Sequence, residues 1–237
     1  MGKKGLEKKF LKINRYLIYF VFDFFMRIIL MPSYQGALGK SDGLKSSPQD
    51  IIWHYKKTYG KKSLFGLDIF EIGSFDDIKR QHTDNYNILL KKLKKGDIFL
   101  GGDHSITYFI FKVIKKKYGN CGLLVFDCHG DMHVLFDFVS HQDWIYYLVH
   151  DKVISGKDIM VFGARDLSKQ EKKFSLDNKI NLVSYNKDVY KKIDKVLDFC
   201  KKYNYVYVSF DIDVISPRYA IGTGYTKKRR NYTFVCI

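Results

Sequence analysis

A chain of 237 residues, 46% of them hydrophobic and 28% charged, can bury a full core, which excludes a disordered segment. Its net charge of +16 permits anionic partners. The lysines, however, fall in short runs between apolar residues, as in Lys91-Lys92-Leu93-Lys94-Lys95 and Lys115-Lys116-Lys117. With no zinc-finger or RNP-like signature beside them, these runs read as solvated helix faces, and no nucleic-acid partner is expected.

In chain order, residues 16–31 come first, rich in aromatic and aliphatic side chains. Asp23 and Arg27 interrupt the run, so it falls short of the roughly 20 apolar residues a membrane-spanning helix needs. It also lacks a small-residue cleavage site, so a secretory signal is not expected. Residues 1–26 are expected to form an N-terminal helical extension leading into a core strand at 27–32. The stretch from Gly36 to Pro48, with Gly39, Ser41, Gly43, Ser46 and Ser47, reads as a surface loop.

Further short apolar runs, at residues 65–72, 97–101, 122–127, 158–163, 181–185 and 205–210, alternate with amphipathic helical patterns. A continuous run such as Gly122-Leu123-Leu124-Val125-Phe126 suits a strand buried on both faces, as in a parallel sheet. Between these runs, Ile106, Phe109, Ile110, Val113 and Ile114 recur at helical spacing. Lys115 to Lys117 follow where cations suit the helix dipole, and Gly119 offers a stop. Val189, Ile193, Val196 and Cys200 repeat the pattern, as do Leu89, Leu90 and Leu93 before Gly96. The alternation predicts a single α/β domain over residues 1–237, a three-layer α/β/α sandwich on a mainly parallel sheet. Ligands of such sheets gather beyond the carboxyl ends of the strands. The cysteines Cys121, Cys128, Cys200 and Cys236 form no Cys-x-x-Cys pair, which fits free thiols in a reducing cytoplasm.

Three strand ends carry the chemistry. Gly101-Gly102-Asp103-His104-Ser105 closes one strand and opens a helix. Asp127-Cys128-His129-Gly130-Asp131-Met132-His133 follows another, and Ser209-Phe210-Asp211-Ile212-Asp213 a third. Alternate side chains of an extended segment share a face, so Asp127, His129 and Asp131 converge, as do Asp211 and Asp213. Taken alone, each motif has a plain structural reading, a helix cap for Asp103 or Ser105 and a solvated acid for Asp-x-Asp. Together they gather carboxylates and imidazoles at one sheet edge, where buried charge needs a cation. Oxygen and imidazole ligands without thiolate suit manganese, magnesium, iron or zinc, and the ligand count fits two ions better than one.

These three motifs, in this order, resemble the signatures of the arginase/agmatinase (ureohydrolase) family. The resemblance covers roughly residues 27 to 225. It implies two Mn2+ per chain, with His104 and Asp131 on one ion and His129 and Asp213 on the other. Asp127 and Asp211 would bridge the pair. It further implies hydrolysis of a guanidino group to urea, with Asp131 moving protons and a histidine shuttle assisting. His141, in Ser140-His141-Gln142-Asp143-Trp144, is the candidate shuttle, against a plain reading as an exposed residue at a helix start. His54, His82 and His150 have no such context and read as ordinary histidines.

Arginine-specific members place Asn where this chain has the candidate substrate-binding residue His133. Agmatine, giving putrescine and urea, is therefore the expected small-molecule substrate, with arginase activity as the alternative. Family members are commonly oligomeric, so a homo-oligomer is expected, and the cysteine pattern places it in the cytoplasm.

The sequence departs from the family in two places. Ser216-Pro217 and Ile221-Gly222-Thr223-Gly224 replace the usual Asp-Pro and Pro-Gly-Thr-Gly. From Thr226 the tail is atypical, and the family's substrate-binding Glu and last strand or strands have no counterpart in it. A truncated or frameshifted member is the expectation. Residues 228–233 can be encoded so that a shifted frame reads Arg-Arg-Gly-Gly-Ile-Thr, as the family would. A natural tail that closes the domain differently, or a weakly active metal-binding remnant, is the other reading.

Overall fold

The computed structural model describes residues 27–38, 43–60, 68–71, 78–134, 136–165, 167–184 and 192–220. The expected helical extension at 1–26 and the atypical tail from 226 lie outside the described residues. Among the described residues, seven strands alternate with six α-helices: β1 (Arg27–Met31), α1 (Ser47–Tyr59), β2 (Asp68–Glu71), α2 (Ile78–Lys92), β3 (Ile98–Gly101), α3 (Ile106–Tyr118), β4 (Cys121–Phe126), α4 (Trp144–His150), β5 (Ile159–Phe162), α5 (Lys169–Asp177), β6 (Asn181–Val183), α6 (Ile193–Cys200) and β7 (Tyr205–Phe210).

Every strand pairing among the described residues is parallel. The pairings form two ladders, β2-β1-β3 and β6-β5-β4-β7, so the expected sheet is divided between β3 and β7. Alternation along the strands builds the three layers. Ile29 and Met31 of β1, Leu123 and Val125 of β4, and Ile159 and Val161 of β5 face one way, into a core with Leu89 of α2, Phe109 of α3 and Leu148 of α4. Ile28 and Leu30 face the other way against Ile52 of α1. Leu124, Met160, Phe162 and Val183 likewise pack on Val196 and Phe199 of α6.

The crossover helix α3 is buried nearly all round rather than along one stripe. Tyr108 and Phe111 are covered as well as the expected Ile106, Phe109, Ile110, Val113 and Ile114. It crosses beneath both ladders, which its amphipathic period alone does not reveal. Lys115, Lys116 and Lys117 occupy its last turn, and Gly119 ends it at φ 70°.

The stretch after β1 differs from the expected surface loop. Residues Gln35–Ala37 form a 3-10 turn in which Gly36 and Ala37 are buried, and α1 begins at Ser47. A Cβ at Gly36 would lie 2.6 Å from Asp103 Oδ1, so the turn is pressed against the loop that follows β3. Gly102 in that loop has a backbone reason for being glycine, since a Cβ would strike the carbonyl oxygens of Ser33 and Leu44.

Candidate functional site

The loops after β3, β4 and β7 meet beyond the carboxyl ends of their strands. Backbone bonds carry the ladder into the site: Asp127 N donates to Phe162 O at 3.1 Å, and Asp211 N to Phe126 O at 2.9 Å. The turn after β3 is held by Asp103. Its carboxylate accepts from Ser33 Oγ and Ser105 N, both at 2.9 Å, which is the structural role rather than a ligand's. His104 is thereby projected inward.

His104 Nδ1 lies 3.0 Å from Asp131 Oδ2, 3.1 Å from Asp127 Oδ2 and 3.4 Å from Asp211 Oδ2. The atom is buried and makes no well-angled hydrogen bond to any of them. One imidazole nitrogen and three carboxylate oxygens thus point at a common centre instead of at one another, as ligand atoms around a cation do. On the far side of the ring, Nε2 sits 2.9 Å from Ser209 Oγ, which fixes its orientation.

A second group lies alongside. His129 Nδ1 is 2.9 Å from Asp213 Oδ2 and 3.5 Å from Asp127 Oδ1. Two clusters of potential ligands result, His104 with Asp127 and Asp131, and His129 with Asp127, Asp213 and Cys128. They share Asp127, whose two oxygens face opposite groups. All six residues picked out by the three motifs are therefore brought together, and Cys128 Sγ joins them at 3.3 Å from His129 Nδ1.

Electrostatics shows the strain of so much buried charge. Burial and then repulsion from Asp127 raise the Asp131 carboxyl to about 8. The same causes raise Asp211 to about 7. Burial alone would raise Asp127, but His104 and His129 outweigh it and hold its carboxyl below the usual range. His104 and His129 are raised, because neighbouring carboxylates overcome a desolvation that would lower them. Burial pushes the Cys128 thiol up to about 12, so it stays protonated beside the imidazole. Without a cation, protons hold the cluster together. A pair of divalent ions fits the same donors, since it would replace those protons with charge.

Backbone and neighbouring side chains shape the site further. Asp131 sits in the left-handed region at φ 50°, a strained conformation of the kind that clusters at functional sites. Trp144 Nε1 donates to Asp131 Oδ2 at 2.7 Å, and its ring lies 4.7 Å from that of His104. Arg165 donates to Val214 O at 3.0 Å and also to Asp213 O, which anchors the loop after β7. None of Trp144, Arg165 and Glu171 is named by the three motifs. Glu171 had a sequence signal, Ser168-x-x-Glu171, which reads as a helix start and is one. Ser168 Oγ accepts from Glu171 N at 3.1 Å and Glu171 Oε2 from Ser168 N at 2.9 Å. The same carboxylate lies 3.2 Å from His133 Nε2, with only 3% of its side chain exposed.

His133 and His141 both line the cavity of about 1430 Å³ that opens onto the two clusters. His141 is half-buried ahead of α4, not exposed at a helix start. Its Nδ1 lies 2.6 Å from Gly36 O, so that nitrogen carries the hydrogen when the ring is neutral. His54 belongs to α1 and His82 to α2, and His150 pairs with Asp151 at 3.0 Å.

Comparison with known proteins agrees with this architecture. A family model described as the arginase family matches residues 47–229. An agmatinase of Blochmanniella floridana is 29% identical over 157 residues, covering 65% of this chain and 48% of that protein. An arginase of Staphylococcus aureus (strain COL) is 29% identical over 146 residues, covering 54% and 48%. The chain spans about half the length of these curated relatives. Formimidoylglutamase from Bacillus subtilis has a similar fold, with a TM-score of 0.75 at 20% identity, over 85% of this chain and 69% of that one. Arginase from Bacillus subtilis gives 0.70 at 21%, over 84% and 78%. Among the described residues no helix is long and apolar enough to cross a membrane.

Proposed function

The chain belongs to the arginase family, and on that premise we propose that it holds two Mn2+ ions and hydrolyses a guanidino compound to urea, with agmatine favoured over arginine. The observation that carries the reading is the pair of ligand clusters joined through Asp127. His104, Asp131, Asp127 and Asp211 would hold one ion, and His129, Asp213, Asp127 and Asp211 the other. Once bound, such a pair supplies Lewis acidity and an activated water at neutral pH.

The chain's own residues supply the rest. Asp131, held by the Trp144 indole beside the ligand clusters, is the candidate to receive a proton and return it to a leaving nitrogen. The carbonyl of Gly36 fixes the tautomer of His141, which lines the same cavity and is the candidate to carry that proton away. Ser209 orients the His104 ring. Away from the clusters, His133 and the buried Glu171 line the cavity together. A carboxylate there favours the primary ammonium of agmatine over the α-carboxylate of arginine, which supports the narrower substrate reading. The enzyme would act as a cytoplasmic homo-oligomer on a small-molecule substrate.

The test is urea release by the Mn2+-loaded chain with agmatine and with arginine. Faster release from agmatine is expected. Release from arginine alone would overturn the substrate assignment, and release from neither would overturn the activity.

A further inference from the structure

The two ligand clusters differ in chemistry. The first, His104 with Asp127 and Asp131, offers an imidazole nitrogen and carboxylate oxygens. The second, His129 with Asp127 and Asp213, also includes the thiol of Cys128. A sulfur donor sets it apart, because thiolates select ions of the zinc class, whereas carboxylate oxygens suit manganese.

Local backbone structure puts the sulfur there. Cys128 is only 5% exposed and forms no disulfide. Its carbonyl accepts from Arg165 N at 3.0 Å, and its amide donates to Asp213 Oδ1 at 3.3 Å. The second bond leaves Asp213 Oδ2 turned towards His129 Nδ1, at 2.9 Å. Cys128 Sγ lies 3.3 Å from the same nitrogen, and Asp127 Oδ1 lies 3.5 Å from it. Donors held at about 2.0–2.3 Å by a tetrahedral zinc-class ion stand roughly 3.3–3.6 Å apart. The observed spacings therefore need shifts of only a few tenths of an ångström. Four protein donors also complete the coordination of such an ion. Cys121 opens β4, about 20 Å of strand before Asp127, and so takes no part in this cluster.

We propose that Cys128 binds, as thiolate, a zinc-class divalent ion at the second position, which makes the two positions unlike and gives the second the first claim on such an ion. The thiol proton passes to solvent as the sulfur–metal bond forms, and no electron is transferred. Zinc outcompetes manganese at most nitrogen and oxygen sites too, so the distinguishing feature is the order of filling. With Mn2+ alone both positions fill; the first zinc-class ion to arrive displaces the manganese beside Cys128 and leaves the other. The inference rests on the reading that the paired clusters hold two ions, and it adds which ion each prefers.

The test titrates the Mn2+-loaded, desalted chain with Zn2+ and with Co2+, beside Cys128→Ala treated alike and checked for its fold by circular dichroism. In the parent, the first Zn2+ bound is expected to release one Mn2+, and X-ray absorption at the zinc edge to show one sulfur neighbour at about 2.3 Å. Co2+ should bring a near-ultraviolet sulfur-to-cobalt charge-transfer band. Cys128→Ala should lose the sulfur neighbour and the band while still holding two Mn2+. It should bind the first Zn2+ more weakly by at least the roughly 10- to 100-fold that loss of a ligand's supporting partner costs. A first Zn2+ with only nitrogen and oxygen neighbours would overturn the proposal, and that spectrum is read on the parent whether or not the variant folds. So would a sulfur neighbour that persists in the folded variant, or release of both Mn2+ ions together from the parent. A parent that holds no ion would overturn the paired-ion reading as well, whereas two ions bound without sulfur would overturn this inference alone.

Discussion

Trp144→Phe isolates one hydrogen bond to the candidate proton carrier while keeping the aromatic ring. Trp144 is fully buried, and its Nε1 donates to Asp131 Oδ2 at 2.7 Å. A hydrogen bond to a charged group contributes roughly 1.5–3 kcal/mol. Since about 1.36 kcal/mol corresponds to a tenfold change, losing it disfavours the ionised Asp131 by roughly 10- to 150-fold. The donor stabilises the carboxylate form, so its loss moves the Asp131 carboxyl up from about 8. A ligand must be deprotonated to bind a cation, so Mn2+ affinity at pH 7 should fall by a similar factor. It should recover partly as the pH is raised. Isothermal titration with Mn2+ at pH 7 and pH 9 reads both effects, and circular dichroism checks the fold. Equal affinity for the parent and the folded variant at pH 7 would refute the reasoning that this indole tunes Asp131.

The metal-free protein should lose stability as the pH rises between about 5 and 8. Asp131 and Asp211 have raised carboxyls, at about 8 and 7, so the folded state binds more protons than the unfolded chain across that window. The raised His104 and His129 act in the same direction, while the lowered Asp127 contributes only below its usual range. Melting temperatures in chelator should therefore fall with pH, and excess Mn2+ should reverse the slope; a rising slope in chelator would contradict the cluster's electrostatics. Arg27→Met should destabilise by about 3 kcal/mol in chemical denaturation, because it leaves Asp97 without a bidentate partner now at 2.8 and 2.6 Å. Ser168→Ala should cost about 1 kcal/mol by removing the cap of α5, without changing Mn2+ stoichiometry. Glu171→Gln should raise the KM for agmatine more than it lowers kcat, as expected for a residue that binds the substrate's far end.

Much of the fold was legible because its strands are continuous apolar runs. Residues 205–210 form β7 as read, and the runs at 122–127 and 158–163 differ from β4 and β5 by about a residue at their ends. Loop geometry, not an extended period, brings the six acids and imidazoles together, since Asp131 is left-handed at φ 50° and Ile212–Val214 form a 3-10 turn. They were nevertheless legible as motifs at three strand ends. Trp144 was not, since a buried indole reads as core, and its hydrogen bond to Asp131 depends on how α4 packs. Glu171 was hidden by its own motif, which specifies a helix start whether or not the carboxylate also meets His133. Gly36 and Ala37 lay in a stretch whose composition is that of a loop, and only the close approach of the turn after β3 buries them. The division between β3 and β7 left no local trace, because strand order is set by long-range pairing.

The central claim is that two ions share Asp127. Metal content per folded chain after loading with Mn2+ and desalting tests it most directly, with Asp127→Asn measured beside the parent. Two ions per parent chain and a loss from both positions in the variant are predicted. A folded parent that retains no ion, or a variant that retains two, would contradict it.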